Sequence, residues 1–219
     1  MTRKKLGLVH TSASLVPIFE QLCKSHLPGV NVFNIVDDSL IKDVIAYGEL
    51  RSQTARRAAQ HIAAAEDAGA EFILVTCSSI GRAVETAAAL ASVPVLRVDQ
   101  PMADRAVSLA QNIGVVATLS TTLEPTADLI RRRAAAAGKQ VTINSILCDG
   151  AFDALMNGDA ATHDAAVAAA LKQAAAQADI IVLAQASMAR VVQTLAESDR
   201  RVLILASPPL AIEYLATVL

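Results

Sequence analysis

Eight short apolar runs rich in β-branched residues punctuate the chain, at residues 6–11, 30–36, 72–76, 93–98, 113–118, 141–147, 180–184 and 202–206. The stretches between them are alanine-rich and of helical length. Strands that are apolar throughout, rather than alternating, are buried on both faces, as parallel strands covered by helices are. The pattern therefore predicts an α/β chain with parallel sheets. Gly69, Gly138 and the pair Pro28-Gly29 fall where a helix should stop before the next strand.

The same pattern repeats. Residues 72–86 (FILVTCSSIGRAVET) align without a gap on residues 180–194 (IIVLAQASMARVVQT), an offset of 108. Ile73 meets Ile181, Ser79 meets Ser187, Arg82 meets Arg190, Val84 meets Val192 and Thr86 meets Thr194. The same offset carries Pro101 onto Pro209, and one shifted by a single residue puts Gly7 on Gly114 and Thr11 on Thr118. The expectation is two pseudo-symmetric halves, each a four-stranded parallel sheet flanked by helices. Residues 1–98 with 206–219 form the first and residues 99–205 the second. Ligands of such sheets bind beyond the carboxyl ends of the strands. Two halves facing each other would line one cleft with loops 10–14, 76–79, 118–122 and 185–187.

Composition narrows the function classes. The 219 residues are 53% hydrophobic, but no run of membrane-spanning length lacks polar interruptions. The apolar run Leu6-Gly7-Leu8-Val9 is too short for a secretory signal and reads as a first core strand. A net charge of −2 with acids and bases interspersed, and only 3% aromatic residues, gives no footprint for nucleic acid. The basic run Arg131-Arg132-Arg133 reads as the solvated face of a helix. Cys23, Cys77 and Cys148 have neither even count nor CxxC spacing, which fits a reducing, cytoplasmic location and argues against disulfides or structural zinc.

The candidate chemistry sits at the strand ends. Thr76-Cys77-Ser78-Ser79 follows a buried strand and opens a helix, whose free first-turn amides bind anions and favour a thiolate. Cys77 is thus the candidate catalytic residue, with Thr76, Ser78 and Ser79 as candidate substrate donors. His10 ends the first strand, where it would face Cys77 and share its proton. Thr11 and Ser12, and in the second half Thr118, Ser120 and Thr121, are further candidate donors, as are Gln185, Ala186 and Ser187 in the loop paired with Cys77 by the repeat. His26, His61 and His163 read as surface residues and Cys23 as core, while Cys148 reads as a buried or rim thiol. No histidine or acid spacing suggests a metal.

The segments VTCSSIGRA (75–83), VDQPMADRAV (98–107), VVATLSTTLEPT (115–126) and LAQASMARV (183–191) resemble those of the aspartate/glutamate/hydantoin racemase superfamily, over essentially the whole chain. That resemblance implies two α/β halves, no cofactor and carbon-acid chemistry next to a carboxylate or carbonyl. It matches Cys77 to the first catalytic cysteine, and Thr118 and Thr121 to substrate-binding positions. The chain departs from the two-thiol pattern at Gln185, where the second cysteine is expected; an amide cannot act as general acid or base. Related malonate decarboxylases also use one thiol, but theirs lies in the second half, and this chain keeps the first. The expectation is a cofactor-independent racemase or isomerase moving a proton in a small acid, such as an amino acid or hydantoin. His10, Cys148 or water would be the second acid. The alternatives are a malonate-type decarboxylase and a non-catalytic small-acid binding protein. A small carboxylate or carbonyl substrate is the expected partner, with no nucleic acid or membrane, and the resemblance also suggests a homo-oligomer.

Overall fold

A computed structural model describes residues 4–197 and 200–219. The chain divides into two compact units, residues 1–100 with 208–219 and residues 101–207. Unit 1 contains β1 (Lys5–His10), α1 (Val16–His26), β2 (Asn31–Val36), α2 (Ser39–Tyr47), α3 (Ser52–Asp67), β3 (Phe72–Val75), α4 (Gly81–Ala88) and β4 (Val95–Arg97). After α5 (Gln100–Leu109), unit 2 runs through β5 (Asn112–Ala117), α6 (Ser120–Ala136), β6 (Thr142–Leu147), α7 (Ala151–Met156), α8 (Ala160–Ala175), β7 (Ile180–Leu183), α9 (Ala189–Thr194) and β8 (Leu203–Ala206). The closing helix α10 (Ser207–Val218) packs in unit 1. Among the described residues, no helix is long and apolar enough to cross a membrane.

Each unit holds one four-stranded sheet, all parallel, in the orders β2-β1-β3-β4 and β6-β5-β7-β8. The expected α/β class with two such sheets is what the chain adopts. Alternation along the strands sorts the first core into two layers. Val9, Ile73 and Val75 pack with Ala58, Ile62 and Ala65 of α3 and Val84 of α4. Leu6, Leu8, Phe72 and Leu74 face the other way, onto Phe19 of α1 and Ala211, Ile212 and Leu215 of α10. In unit 2, Val116, Ile181 and Leu183 lie on Val167, Leu171 and Ala174 of α8.

The matched glycines of the repeat have one physical cause. A Cβ on Gly7 would lie 3.2 Å from the Cβ of Ala65, and one on Gly114 3.2 Å from that of Ala178. Gly7 thus lets Ala65 of α3, and Gly114 lets Ala174 of α8 with Ala178 just beyond it, settle directly on the central strand.

Candidate active site

In both sheets the chain order reverses direction between the two central strands, β1 and β3 or β5 and β7. The carboxyl ends of such a pair diverge into a crevice, the common ligand position of open α/β sheets. Register then decides which side chains meet there. Val9 pairs with Val75, so two residues further Thr11 stands beside Cys77. Val116 pairs with Leu183, so Thr118 stands beside Gln185.

Cys77 is half-buried at the start of a 3₁₀ turn, Ser78–Ile80, that leads into α4. Its sulfur accepts hydrogen bonds from the Thr11 hydroxyl and from the backbone of Ser79 and Ile80. Burial nevertheless pushes the thiol pKa up, those three bonds pull it down, and the Asp99 carboxylate pushes it up further. The net direction is upward. This direction is opposite to the one expected from the helix-start donors, because desolvation outweighs them.

His10 does not face Cys77. Neighbouring strand residues point to opposite sides of a sheet, and His10 lies with Thr76 on the side of Phe19, whose ring centroid is 5.6 Å away. Its Nδ1 is 2.8 Å from Thr76 Oγ1 and its Nε2 is 3.0 Å from Asn34 Oδ1. Asn34 Nδ2 in turn donates to Glu20 at 3.4 Å, so the amide carbonyl faces the ring and Nε2 carries the proton. The imidazole is fully buried, and desolvation lowers its pKa against the opposing pull of Asn34 and Glu20. His10 is thus a neutral ring engaged at both nitrogens. The Thr76 hydroxyl, expected to bind substrate, is spent on His10 Nδ1, to which it donates, with Val9 O as a competing acceptor at 3.3 Å.

At the unit 2 edge, Gln185 Oε1 accepts from the Thr118 backbone N at 2.6 Å and from Thr118 Oγ1 at 3.0 Å. A backbone N–H can only donate, so the amide orientation is fixed with Nε2 turned the other way. Among the described residues, Nε2 has no acceptor, and the buried Oγ1 of Thr121 has no partner. Ser120 is exposed at the start of α6, while Ala186 and Ser187 are half-buried in a 3₁₀ turn matching that after Cys77. In unit 1, Ser78 and Ser79 are buried, and Ser12 bonds Ser14 at 2.8 Å.

Elsewhere, Cys23 and Cys148 are buried and desolvation raises each thiol to about 11. Arg131, Arg132 and Arg133 pair with Glu124, Asp128 and Asp104, as a solvated helix face does. The surface reading of His163 is corrected: it is fully buried, with Nδ1 2.7 Å from Asp164, because its position on α8 faces the sheet. His61 binds Asp37 at 2.7 Å. No cluster of three or more His, Cys, Asp or Glu among the described residues could hold a metal ion. Sequence reasoning missed one feature of this edge, the buried pair of Arg97, which ends β4, and Asp99 in the turn after it. Its signal was two charges alternating with Leu96 and Val98 in an otherwise apolar run.

A model of the Asp/Glu/Hydantoin racemase family matches residues 6–215. The chain belongs to that family. Membership makes it an enzyme of the racemase class of isomerases. Glutamate racemase from Francisella tularensis in complex with D-glutamate shares 16% identity at a TM-score of 0.76, covering 99% of this chain and 80% of that one. Aspartate racemase of Picrophilus torridus shares 17% at 0.68, with 98% and 94% covered. Allantoin racemase from Klebsiella pneumoniae shares 16% at 0.67, with 98% and 87% covered. At such identities the likeness is one of fold. A search of curated proteins finds no match.

Proposed function

We propose that this member of the racemase family moves a proton at the carbon next to a carboxylate or carbonyl of a small acid, with Cys77 as the transferring group and no cofactor. The observation that carries the reading is the Cys77 sulfur at the β1/β3 crevice, held by Thr11 and two backbone donors. Those donors stabilise the thiolate when it forms, while burial keeps the resting group protonated. A thiol poised in this way delivers a proton to an enediolate carbon and, as thiolate, takes one back. Unit 2, taken by itself, offers Gln185 Nε2 and the Thr121 hydroxyl as donors suited to a carboxylate, neither of which is spent on another described residue. His10 then serves as a positioning residue that fixes Thr76 and the strand end before Cys77, rather than as a second acid.

A second reading, a decarboxylase protonating its product on one face, is favoured by Gln185. Its amide stands where the repeat pairs it with Cys77, and it has no proton to exchange.

Proton NMR in D2O, with a panel of amino, hydroxy, malonate and hydantoin-type acids, tests both. Cys77→Ala should slow α-hydrogen exchange by about 10²–10⁴-fold, the usual contribution of a general acid or base. Loss of optical activity identifies racemisation, and a new monoacid with CO2 release identifies decarboxylation. Exchange at the wild-type rate in Cys77→Ala removes Cys77 from the mechanism.

A further inference from the structure

β4 and the turn that follows it carry two charges into the buried edge of the first sheet. Arg97 is 3% exposed and Asp99 is fully buried. Their pairing is bidentate, Arg97 Nε to Asp99 Oδ1 at 3.0 Å and Nη2 to Oδ2 at 2.7 Å, and Nη1 reaches Glu85 of α4 at 2.6 Å. The guanidinium lies against the first residue of α4: a Cβ on Gly81 would come within 2.2 Å of Arg97 Cζ. Val75 pairs with Arg97, and the Val98 N–H continues the ladder to Val75 O at 3.0 Å, so Cys77 and Asp99 follow the two strand ends side by side.

The groups around the thiol are therefore accounted for. The residue after β1 offers the neutral Thr11 hydroxyl, the 3₁₀ turn offers the Ser79 and Ile80 backbone, and the turn after β4 offers the Asp99 carboxylate, with Arg97 and Glu85 completing the charged cluster. Unit 2 lacks every charge in this set. Gln193 matches Glu85, Ala206 takes the register position of Arg97, and Ser207-Pro208 follow it. The charges are absent where the thiol is absent. A buried ion pair is a poor source of stability, since desolvation offsets its attraction, so stability alone does not explain the cluster.

We propose that Asp99, fixed by Arg97, is a positioning residue whose carboxylate holds the proton on Cys77. This inference rests on the proposed role of Cys77, and it makes the enzyme's thiol a donor at rest. Asp99 touches no substrate; it acts through the sulfur.

Iodoacetamide alkylation of the full chain, followed at Cys77 by peptide-resolved mass spectrometry across pH, reads the thiol without needing a substrate. Asp99→Asn should shift the alkylation profile to lower pH. Alkylation at neutral pH should become roughly three-fold faster, the gain in thiolate being partly offset by its weaker nucleophilicity. Asp99→Glu should stay near wild type. Where Asp99→Asn deprives Arg97 of its bidentate partner and unfolds the chain, the double variant Arg97→Gln/Asp99→Asn removes both charges and should still shift the profile in the same direction. An unmoved profile in a folded variant overturns the coupling, even with Cys77-dependent exchange intact. A shifted profile with no exchange in any acid supports the coupling and counts only against the catalytic role of Cys77.

Discussion

At the edge of the first sheet a threonine from the end of β1 holds the sulfur of Cys77, and at the edge of the second a threonine from the end of β5 holds the carbonyl of Gln185. The tie is the same and what it holds is not. Beside the thiol stands Asp99, tied through Arg97 to Glu85; at the matching positions of unit 2 the sequence has Gln193, Ala206 and Ser207. Even the glycine that admits the guanidinium follows the division, since Gly81 is matched by Ala189. The difference separates scaffold from chemistry: the threonine tie belongs to the shared fold of the halves, and the ionisable groups go with the residue that exchanges protons.

That division can be broken most sharply at Gly81. Gly81→Ala drives a methyl into a guanidinium that cannot withdraw, because Asp99 and Glu85 hold it. We expect a loss of about 3 kcal/mol, at the upper end of overpacking costs, measured by urea unfolding. The reciprocal Ala189→Gly should cost under about 1 kcal/mol, the helix-propensity difference alone. Equal losses at the two sites would mean that Arg97 is not what Gly81 accommodates.

A smaller contrast lies one strand out. Asp37 follows β2 and Cys148 follows β6, each donating its backbone N–H to the end of the central strand, His10 O or Ala117 O. Asp37 is the hub of a polar cluster, bound by Arg57 at 2.8 Å and by His61 at 2.7 Å, whereas Cys148 packs in the apolar core of unit 2. Burial of Asp37 works against its ionisation, but the hydrogen bonds from Ser39, His61 and Arg57 and the Arg57 charge outweigh it, lowering the carboxyl to about 2. A depressed native pKa contributes stability that is present above the unfolded pKa, near 4, and lost as pH falls toward 2. Asp37→Asn should therefore cost about 2 kcal/mol at pH 7, with the gap to wild type closing between pH 4 and pH 2 in urea unfolding. A gap of constant size would show that the cluster contributes through packing and not through charge.

Much of this was legible in the sequence. Apolar runs of uniform burial gave the eight strands to within a few residues, and the ungapped repeat pointed to two similar sheets. Strand parity needed the register as well: only with Val9 paired to Val75 do the residues sharing the thiol's face become odd-numbered, Thr11 and not His10. What a sequence does not carry is the balance of large opposing terms. Helix-start donors and desolvation act on the same sulfur with opposite signs, and only burial decides between them. Nor does periodicity show that Arg97 and Asp99 bury each other, because partnered charges inside a sheet look in a string of letters like charges at a strand's exposed end.

The finest distinction concerns the two threonines. Thr118→Val removes the Oγ1 bond to Gln185 but leaves the backbone N–H bond of 2.6 Å in place, so the amide keeps its orientation. The expected cost is about 1 kcal/mol or less, read by urea unfolding. Thr11→Val has a different consequence, because the bond it removes stabilises a charge rather than a carbonyl. With the hydroxyl gone, only the backbone donors of Ser79 and Ile80 oppose burial and Asp99, so the thiolate becomes scarcer. Alkylation of Cys77 at neutral pH should slow by roughly two-fold, with little change in the urea midpoint. If Thr11→Val altered only stability, the two ties would be structural alone, and the chemical asymmetry between the halves would rest entirely on the charged cluster of β4.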